Sequence, residues 1–372
     1  MESTFEWHQK HPDVSLEAYV REACLKLAKS LSSKKLVYFD TKYWITLQEA
    51  AQNSENQPTE AALLTALRTG VANGRILCPI SASNFIELMK QTDAVSRQSM
   101  ASLIDELSQG VALVDEEERI GSEVSYFIRS KIPGESLYPL ELRMWCKLSY
   151  IVGIQHPTNT PFESSTELAI QKAFFDHMWS TPMSQVVAEL DQVDFTRATD
   201  FDSVAEKLDE ANQLHAAQIQ TFAQVYADEI RGLIDLQGDT ILQTIEFLAI
   251  QKGVPVKYDD EKDRLQSTTP FKNAMAFALA RNVKDARHIL RTIHIHACLH
   301  ASVRWNKRRK LKRNDILDFH HAGPALAYCD AFFTERSLKT LVSQNHIGLD
   351  KLYECSVIAS ANEALSYIAA LV

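Results

Sequence analysis

Leu36-Val37-Tyr38-Phe39-Asp40-Thr41 decides the fold class. Four apolar, β-favouring residues follow Lys34-Lys35 and end at an acid, which predicts a fully buried strand with a carboxylate at its exit. Upstream, residues 14–33 carry Val14, Leu16, Val20, Leu25 and Leu27 at the spacing of an amphipathic helix. Downstream, helices are expected at about 42–52 and 59–73, the second starting after Pro58-Thr59. A second apolar run, Arg75-Ile76-Leu77-Cys78-Pro79-Ile80, leads into Ser81-Ala82-Ser83-Asn84-Phe85-Ile86-Glu87-Leu88, again strand, loop and helix. A helix at about 93–108 and a third strand at Val111-Ala112-Leu113-Val114-Asp115 complete a β-α-α-β-α-α-β order. Such alternation predicts a parallel sheet covered by helices.

From about 117 to 300 strand-like runs become rare. No proline occurs between Pro182 and Pro255, and Phe201–Ile250 is rich in Ala, Gln, Glu and Leu at helical period. A loop is expected at Gln155–Ser165, around Pro157 and Pro161. After 300 the chain passes through a basic stretch, a small-residue helix around Ala322–Ala327, a strand at Ala331-Phe332-Phe333-Thr334, a helix at 336–343 and a closing segment near 352–370. The expected class is therefore α/β: a Rossmann-like parallel sheet with flanking helices, plus a large mostly α-helical insertion. Its parts are an N-terminal helical segment (1–33), a split α/β domain (34–116 and 301–372) and the insertion (117–300).

Candidate chemistry lies in the carboxylates. Ligands of open parallel sheets bind beyond the carboxyl ends of the strands, where Asp40 falls. Asp40 also reads as an N-cap of the following helix. Glu87 occupies the equivalent place after the second strand, and Asn84-Phe85-Ile86-Glu87 fits capping-box spacing as well. Asp315 and Asp318 stand three apart at a helix start, where acids also serve the helix dipole. Asp330 and Glu335 flank the last strand. Carboxylates converging on one pocket repel, and a hard cation between them relieves this; oxygen-only ligation suits Mg²⁺ or Mn²⁺ rather than zinc. Two such ions can activate water and stabilise the leaving oxygen of a phosphodiester.

The succession Leu36–Thr41, Ser81–Leu88 and then Asp318, with Phe332-Phe333-Thr334-Glu335 beyond it, resembles the PIN (and PIN-like) nuclease domain over about 35–115 and 312–345. The resemblance implies a Rossmann-like fold and metal-dependent ribonuclease activity. It makes Asp40 the acid after the first strand, Glu87 the helix glutamate, Asp318 the third acid and Thr334 the threonine closing the last strand. Where the family usually carries an Asp two residues after that threonine, this chain has Arg336. Glu335 is one residue early and Asp330 lies before the strand, so the fourth ligand is open between them. Many members are toxins or RNA-processing enzymes, which makes a toxin or defence effector, checked by an antitoxin-like protein, an expectation here.

Arg304, Lys307, Arg308, Arg309, Lys310, Lys312 and Arg313 place seven positive charges in ten positions, with Trp305 between them. Lys and Arg engage phosphates without sequence preference, and an aromatic ring stacks on a base. The alternative is a solvated basic helix face. His296 and His300 share a helix face and His294 does not; with no HExxH, all three read better as core or surface histidines than as zinc ligands. His320 and His321 are nearer the acids. Trp7, Trp44, Trp145 and Trp179 read as packing residues in helices.

The 372 residues carry a net charge of −9, which argues against a protein coating nucleic acid nonspecifically. Outside the basic stretch, 32 basic residues face 48 acidic ones, a balance of −16. The six cysteines are scattered without a CxxC, which fits reduced thiols in the cytoplasm. Neither a signal peptide nor a membrane span is expected. The resemblance, together with the basic stretch, implies RNA as partner, with DNA equally able to offer phosphates, and leaves room for a protein regulator; no membrane partner is expected, and a homo-oligomer stays open. The competing function class is a non-catalytic PIN-like scaffold binding proteins through the helical insertion.

Overall fold

The computed structural model describes residues 4–192, 201–215, 219–254, 256–307 and 309–372. Its centre is a parallel sheet of β1 (Lys35–Phe39), β2 (Ile76–Leu77), β5 (Ala331–Phe333) and β6 (Ser356–Ile358), in the order β2-β1-β5-β6. Two further strands, β3 (Val111–Leu113) and β4 (Trp145–Lys147), pair antiparallel beside it. They reach the main sheet through a single parallel bridge, Ile80 to Ala112.

The strand Leu36–Phe39 forms as expected because its alternation satisfies two cores at once. Leu36, Tyr38, Leu77 and Phe332 enter one apolar cluster, while Val37, Phe39, Ile76 and Phe333 enter the other. Tyr38, Phe39, Phe332 and Phe333 are fully buried. Each such side chain contributes about 1.5–3 kcal/mol of transfer free energy. Leu47, Leu63, Leu67, Leu107 and Ile368, all on helices, cover the Phe39 face. The Tyr38 face is covered by apolar residues of 117–300, among them Val124, Ile230 and Leu279, together with Leu299 and Phe319. Residues of 117–300 enter the Phe39 cluster as well, among them Cys146, Tyr150, Phe175 and Val187, so this region shares both cores of the sheet.

Two readings need correction and one gains detail. Trp145 lies on a strand, not a helix: Trp145 pairs with Leu113 across β3 and β4, so one element of the 117–300 region is β. The closing segment contains a strand, Ser356–Ile358, at the sheet edge. The third strand does not extend the parallel sheet by a full ladder. No helix among the described residues is long and apolar enough to cross a membrane. The cysteines are free thiols, all buried except the half-buried Cys24.

Candidate functional site

β1 has β2 on one side and β5 on the other, so the chain's winding direction reverses at β1. In open α/β sheets the crevice at such a reversal, beyond the carboxyl ends, is where ligands bind. The chain there is fixed by the ladder: Asp40 N–H donates to Phe333 O at 3.0 Å and Thr334 N–H to Ile358 O at 2.9 Å. Asp40 is buried and caps the Thr41–Gln52 helix, accepting from Tyr43 N–H at 3.1 Å. The capping and mouth-of-the-sheet readings are therefore both satisfied by one carboxylate. Burial raises the Asp40 carboxyl above its ordinary range; Glu335 adds to this, while His321, the Thr334 hydroxyl and the Tyr43 N–H oppose it.

Asp318 projects from the Arg313–Tyr328 helix and is half-buried. Burial pushes its carboxyl up to about 7; repulsion from Asp40, Glu335 and Asp315 adds to the rise and His321 works against it. Asp318 thus feels the charges of Asp40 and Glu335, and Asp40 that of Glu335, at the ends of β1 and β5. Glu335 caps the Arg336–Val342 helix by position and is held by Lys42 at 3.1 Å, an exposed pair. Thr334 Oγ1 lies among them, buried and without a hydrogen-bond partner of good geometry.

Glu87 stands one side chain away. His321 Nε2 meets Glu87 Oε2 at 2.7 Å, and the Thr41 hydroxyl donates to the same oxygen. Burial works to raise the Glu87 carboxyl, but His321, Thr41 and Lys90 outweigh it and hold it below the ordinary range. His321 is fixed from behind: Tyr38 Oη lies 2.8 Å from Nδ1 and 2.6 Å from Ser81 Oγ. The capping-box reading of Glu87 is overturned. The box is formed by Ser81 and Asn84, with Asn84 Oδ1 accepting from Ser81 N–H at 3.1 Å, which leaves Glu87 well inside the Ala82–Met89 helix and pointed at His321.

Pro324 sits inside the Arg313–Tyr328 helix and lacks the N–H that would bond the His320 carbonyl. Ser83 Oγ donates to that carbonyl at 3.2 Å instead, tying the helix to the loop after β2 where His320 and His321 diverge.

Asp330 is not in this group. It precedes β5 at the amino end of the sheet, where Lys35 Nζ lies 2.6 Å from Oδ1 and Leu36 N–H donates to Oδ2 at 2.9 Å. Its role is to pin the start of β1. Asp315 accepts from Lys312 N–H at 2.9 Å and is paired with Arg309, so it serves the helix start.

The basic stretch divides. Arg304 is committed to Glu229 at 2.9 Å, and Arg309 to Asp315, which removes both from the expected phosphate contacts. Lys307, Lys310, Lys312 and Arg313 are exposed, with Trp305 at 37% exposure beside them; Arg308 lies outside the described residues. Arg313 reaches Lys90, whose ammonium is lowered by burial and by Arg313, so basic groups rim the Glu87 side of the mouth.

A second group went unnoticed in the sequence. Glu116, His296 and His320 bring one donor atom each within 4.8 Å of one another, the one such trio among the described residues. Glu116 Oε2 lies 3.0 Å from His320 Nδ1 and 3.6 Å from His296 Nε2. Burial pushes His296 down to about 4, leaving the ring neutral near pH 7, and its Nε2 has no hydrogen-bond partner. Residues 116, 296 and 320 share no sequence spacing; their helices meet only in the fold. His294 and His300 match the core reading, His294 with Tyr353 Oη at 2.9 Å and His300 edge-on to Phe319.

No known protein family, curated protein or solved structure matches this chain.

Proposed function

We propose that the chain is a metal-dependent endoribonuclease acting at the mouth of the sheet. The observation that carries the reading is that Asp318 feels the charges of Asp40 and Glu335 at the winding reversal, with the buried Thr334 hydroxyl beside Asp40. Among the described residues no three of the acids bring their oxygens within 4.8 Å of one another, so an ion would have to draw them together. Burial, with neighbouring carboxylates adding to it, raises the Asp40 and Asp318 carboxyls, a cation would relieve this, and the all-oxygen donor set suits Mg²⁺ or Mn²⁺. Asp40 and Asp318 would hold it, with Glu335 or Glu87 completing the set. Bound there, the ion would polarise the phosphoryl oxygens and lower the pKa of an attacking water.

The chain's own groups supply orientation and charge. Tyr38 and Ser81 fix the His321 ring, and His321 with Thr41 fixes Glu87. Thr334 offers a hydroxyl to a phosphoryl oxygen or to water. Lys307, Lys310 and Lys312 meet the phosphate backbone, and Trp305 offers a ring to an unstacked base. Unpaired bases that can splay onto a ring favour RNA over duplex DNA. The buried free thiols suit the reducing cytoplasm.

The test is cleavage of end-labelled single-stranded RNA, with DNA of the same sequence alongside. Products should carry 5′-phosphate and 3′-hydroxyl ends. Activity should vanish in EDTA, return with Mg²⁺ or Mn²⁺, and fall at least about 100-fold in Asp40→Asn, as when a transition-state charge partner is lost. Full activity in EDTA or in Asp40→Asn refutes the mechanism, and inactivity on both polymers with Mn²⁺ supplied favours the scaffold reading.

A further inference from the structure

The acid mouth does not use the Glu116–His296–His320 trio, which meets a different face of the Arg313–Tyr328 helix from Glu87. The two faces diverge at adjacent residues, His321 toward Glu87 and His320 toward Glu116. We propose that Glu116, His296 and His320 form a second metal centre, selective for a transition-metal ion of the zinc class rather than for Mg²⁺.

Two imidazole nitrogens and one carboxylate oxygen form a donor set that zinc and its first-row neighbours favour over the hard alkaline-earth ions. Bonds of about 2.0–2.1 Å in a tetrahedron separate ligand atoms by roughly 3.3 Å. The observed separations from Glu116 Oε2, 3.0 and 3.6 Å, bracket that edge. Along these two edges occupancy asks for shifts of a few tenths of an ångström; the third edge, between the two rings, lies within 4.8 Å.

A second observation points the same way. His296 is 5% exposed, and its Nε2 faces Glu116 without a hydrogen bond. A buried ring nitrogen left unpaired is costly, and a bound ion would satisfy it. The ring reaches this place because residue 323 is glycine: a Cβ there would lie 2.8 Å from His296 Nε2. Arg119, 3.7 Å from Glu116 Oε2, lies beyond hydrogen-bond reach of that oxygen and donates instead to Val114 O at 2.8 Å.

Three protein ligands leave one position of a tetrahedral ion open. A cavity of about 570 Å³, lined by Glu116, His320, Ser81, Ser83 and Arg119, borders the trio and gives water or a small anion access to that position. The three ligands come from three helices, Glu116–Arg129, Arg291–Trp305 and Arg313–Tyr328, so the ion would also clamp the helix that presents Asp318.

The full chain, stripped by chelation and dialysed, is titrated with Co²⁺. One equivalent should give the intense visible ligand-field bands of a low-coordinate ion, and Zn²⁺ should displace it. His296→Gln and Glu116→Gln should each weaken Co²⁺ binding more than about 100-fold, beyond what loss of an outer-shell partner costs. Gly323→Ala should weaken it by crowding the ring, while Asp318→Asn should leave the bands intact. X-ray absorption at the zinc edge of the wild-type chain should show two imidazoles, a readout that needs no variant to fold. An absent band, an oxygen-only zinc shell, or bands kept in His296→Gln and lost in Asp318→Asn overturns the proposal. Because nuclease activity enters none of these measurements, this centre and the acid mouth fail independently.

Discussion

Asp318→Asn tests the charge state of the mouth directly. In the metal-free chain the Asp318 carboxyl titrates near 7, against an ordinary value of 3.8. An acid with a raised folded-state pKa adds stability below the unfolded value, and that contribution is lost as pH rises through the folded value. The difference of about three units corresponds to an upper bound of about 4 kcal/mol. Asp318 is only half-buried, so side-chain relaxation and water reduce this to about 1–2 kcal/mol. Asparagine keeps the shape and removes the charge. At pH 8.5 in EDTA the variant should therefore be more stable than wild type by about 1–2 kcal/mol, and its urea midpoint, followed by tryptophan fluorescence, should rise by a few tenths of molar. At pH 4 the two should nearly coincide. Adding Mg²⁺ at pH 8.5 should reverse the order, because wild type gains linkage stabilisation of about 2.7 kcal/mol at 100 times its Kd and the variant far less. Equal destabilisation of the variant at both pH values would sink the reasoning, since Asp318 would then be a packing or dipole residue.

Glu123 poses the same question away from the mouth. It is fully buried, accepts from Tyr328 Oη at 2.6 Å and from Thr292, and burial raises its carboxyl to about 7. Its contribution of at most about 3 kcal/mol is present below about pH 4.5 and lost by about pH 7; Glu123→Gln should flatten that part of the stability profile with no response to Mg²⁺. Asp330→Ala should lower stability by about 1 kcal/mol through the lost Leu36 N–H and Lys35 contacts yet leave RNA cleavage unchanged, as read by unfolding and activity side by side. Gly70→Ala should cost about 1–2 kcal/mol despite the better helix propensity, because the new Cβ would meet Ile76 Cδ1 at 2.6 Å in a fully buried site. Replacing Lys307, Lys310 and Lys312 together by Gln should reduce the slope of log affinity against log salt for RNA by about 2, while Arg304→Gln should leave the slope unchanged and lower stability.

What the sequence made legible follows from range. Leu36–Asp40 reads as a buried strand because the run is short, apolar and closed by an acid, all local signals. The same holds for Ile76–Leu77 and Ala331–Phe333. β4 was missed because Trp145-Cys146-Lys147 is three residues long, flanked by short helical turns, and made a strand only by the partner Val111–Leu113. Asp40 was readable as a cap at the carboxyl end of β1 because both features depend on the strand–helix junction alone. Glu87 was placed on the right helix for an insufficient reason, because Ser81 and not Asn84 caps it. His321 was recognisable only as a neighbour of Asp318; its bridge from Tyr38 to Glu87 spans 283 residues one way and 234 the other.

The basic stretch shows why composition alone misleads about partners. Seven cations in ten residues look like one phosphate-binding strip, yet Arg304 and Arg309 are neutralised by Glu229 and Asp315 in the fold. What is left exposed is narrower, lies around Trp305, and turns toward the mouth through Arg313 and Lys90. A strip of that width grips one segment of backbone, whereas the acidic bulk of the chain repels the rest of a polyanion. If the chain binds nucleic acid as proposed, the balance of −16 outside the strip would act as a selector, disfavouring long rigid duplexes that must lie along the acidic surface and tolerating a flexible strand that bends away after crossing the site. That argument makes salt dependence diagnostic. Cleavage of a short single strand should weaken steadily with salt, as the few lysine contacts are screened, while binding of long duplex should first strengthen as the body's repulsion is screened and only then fall. A duplex that binds best at the lowest salt would show that the acidic body plays no part in choosing the substrate.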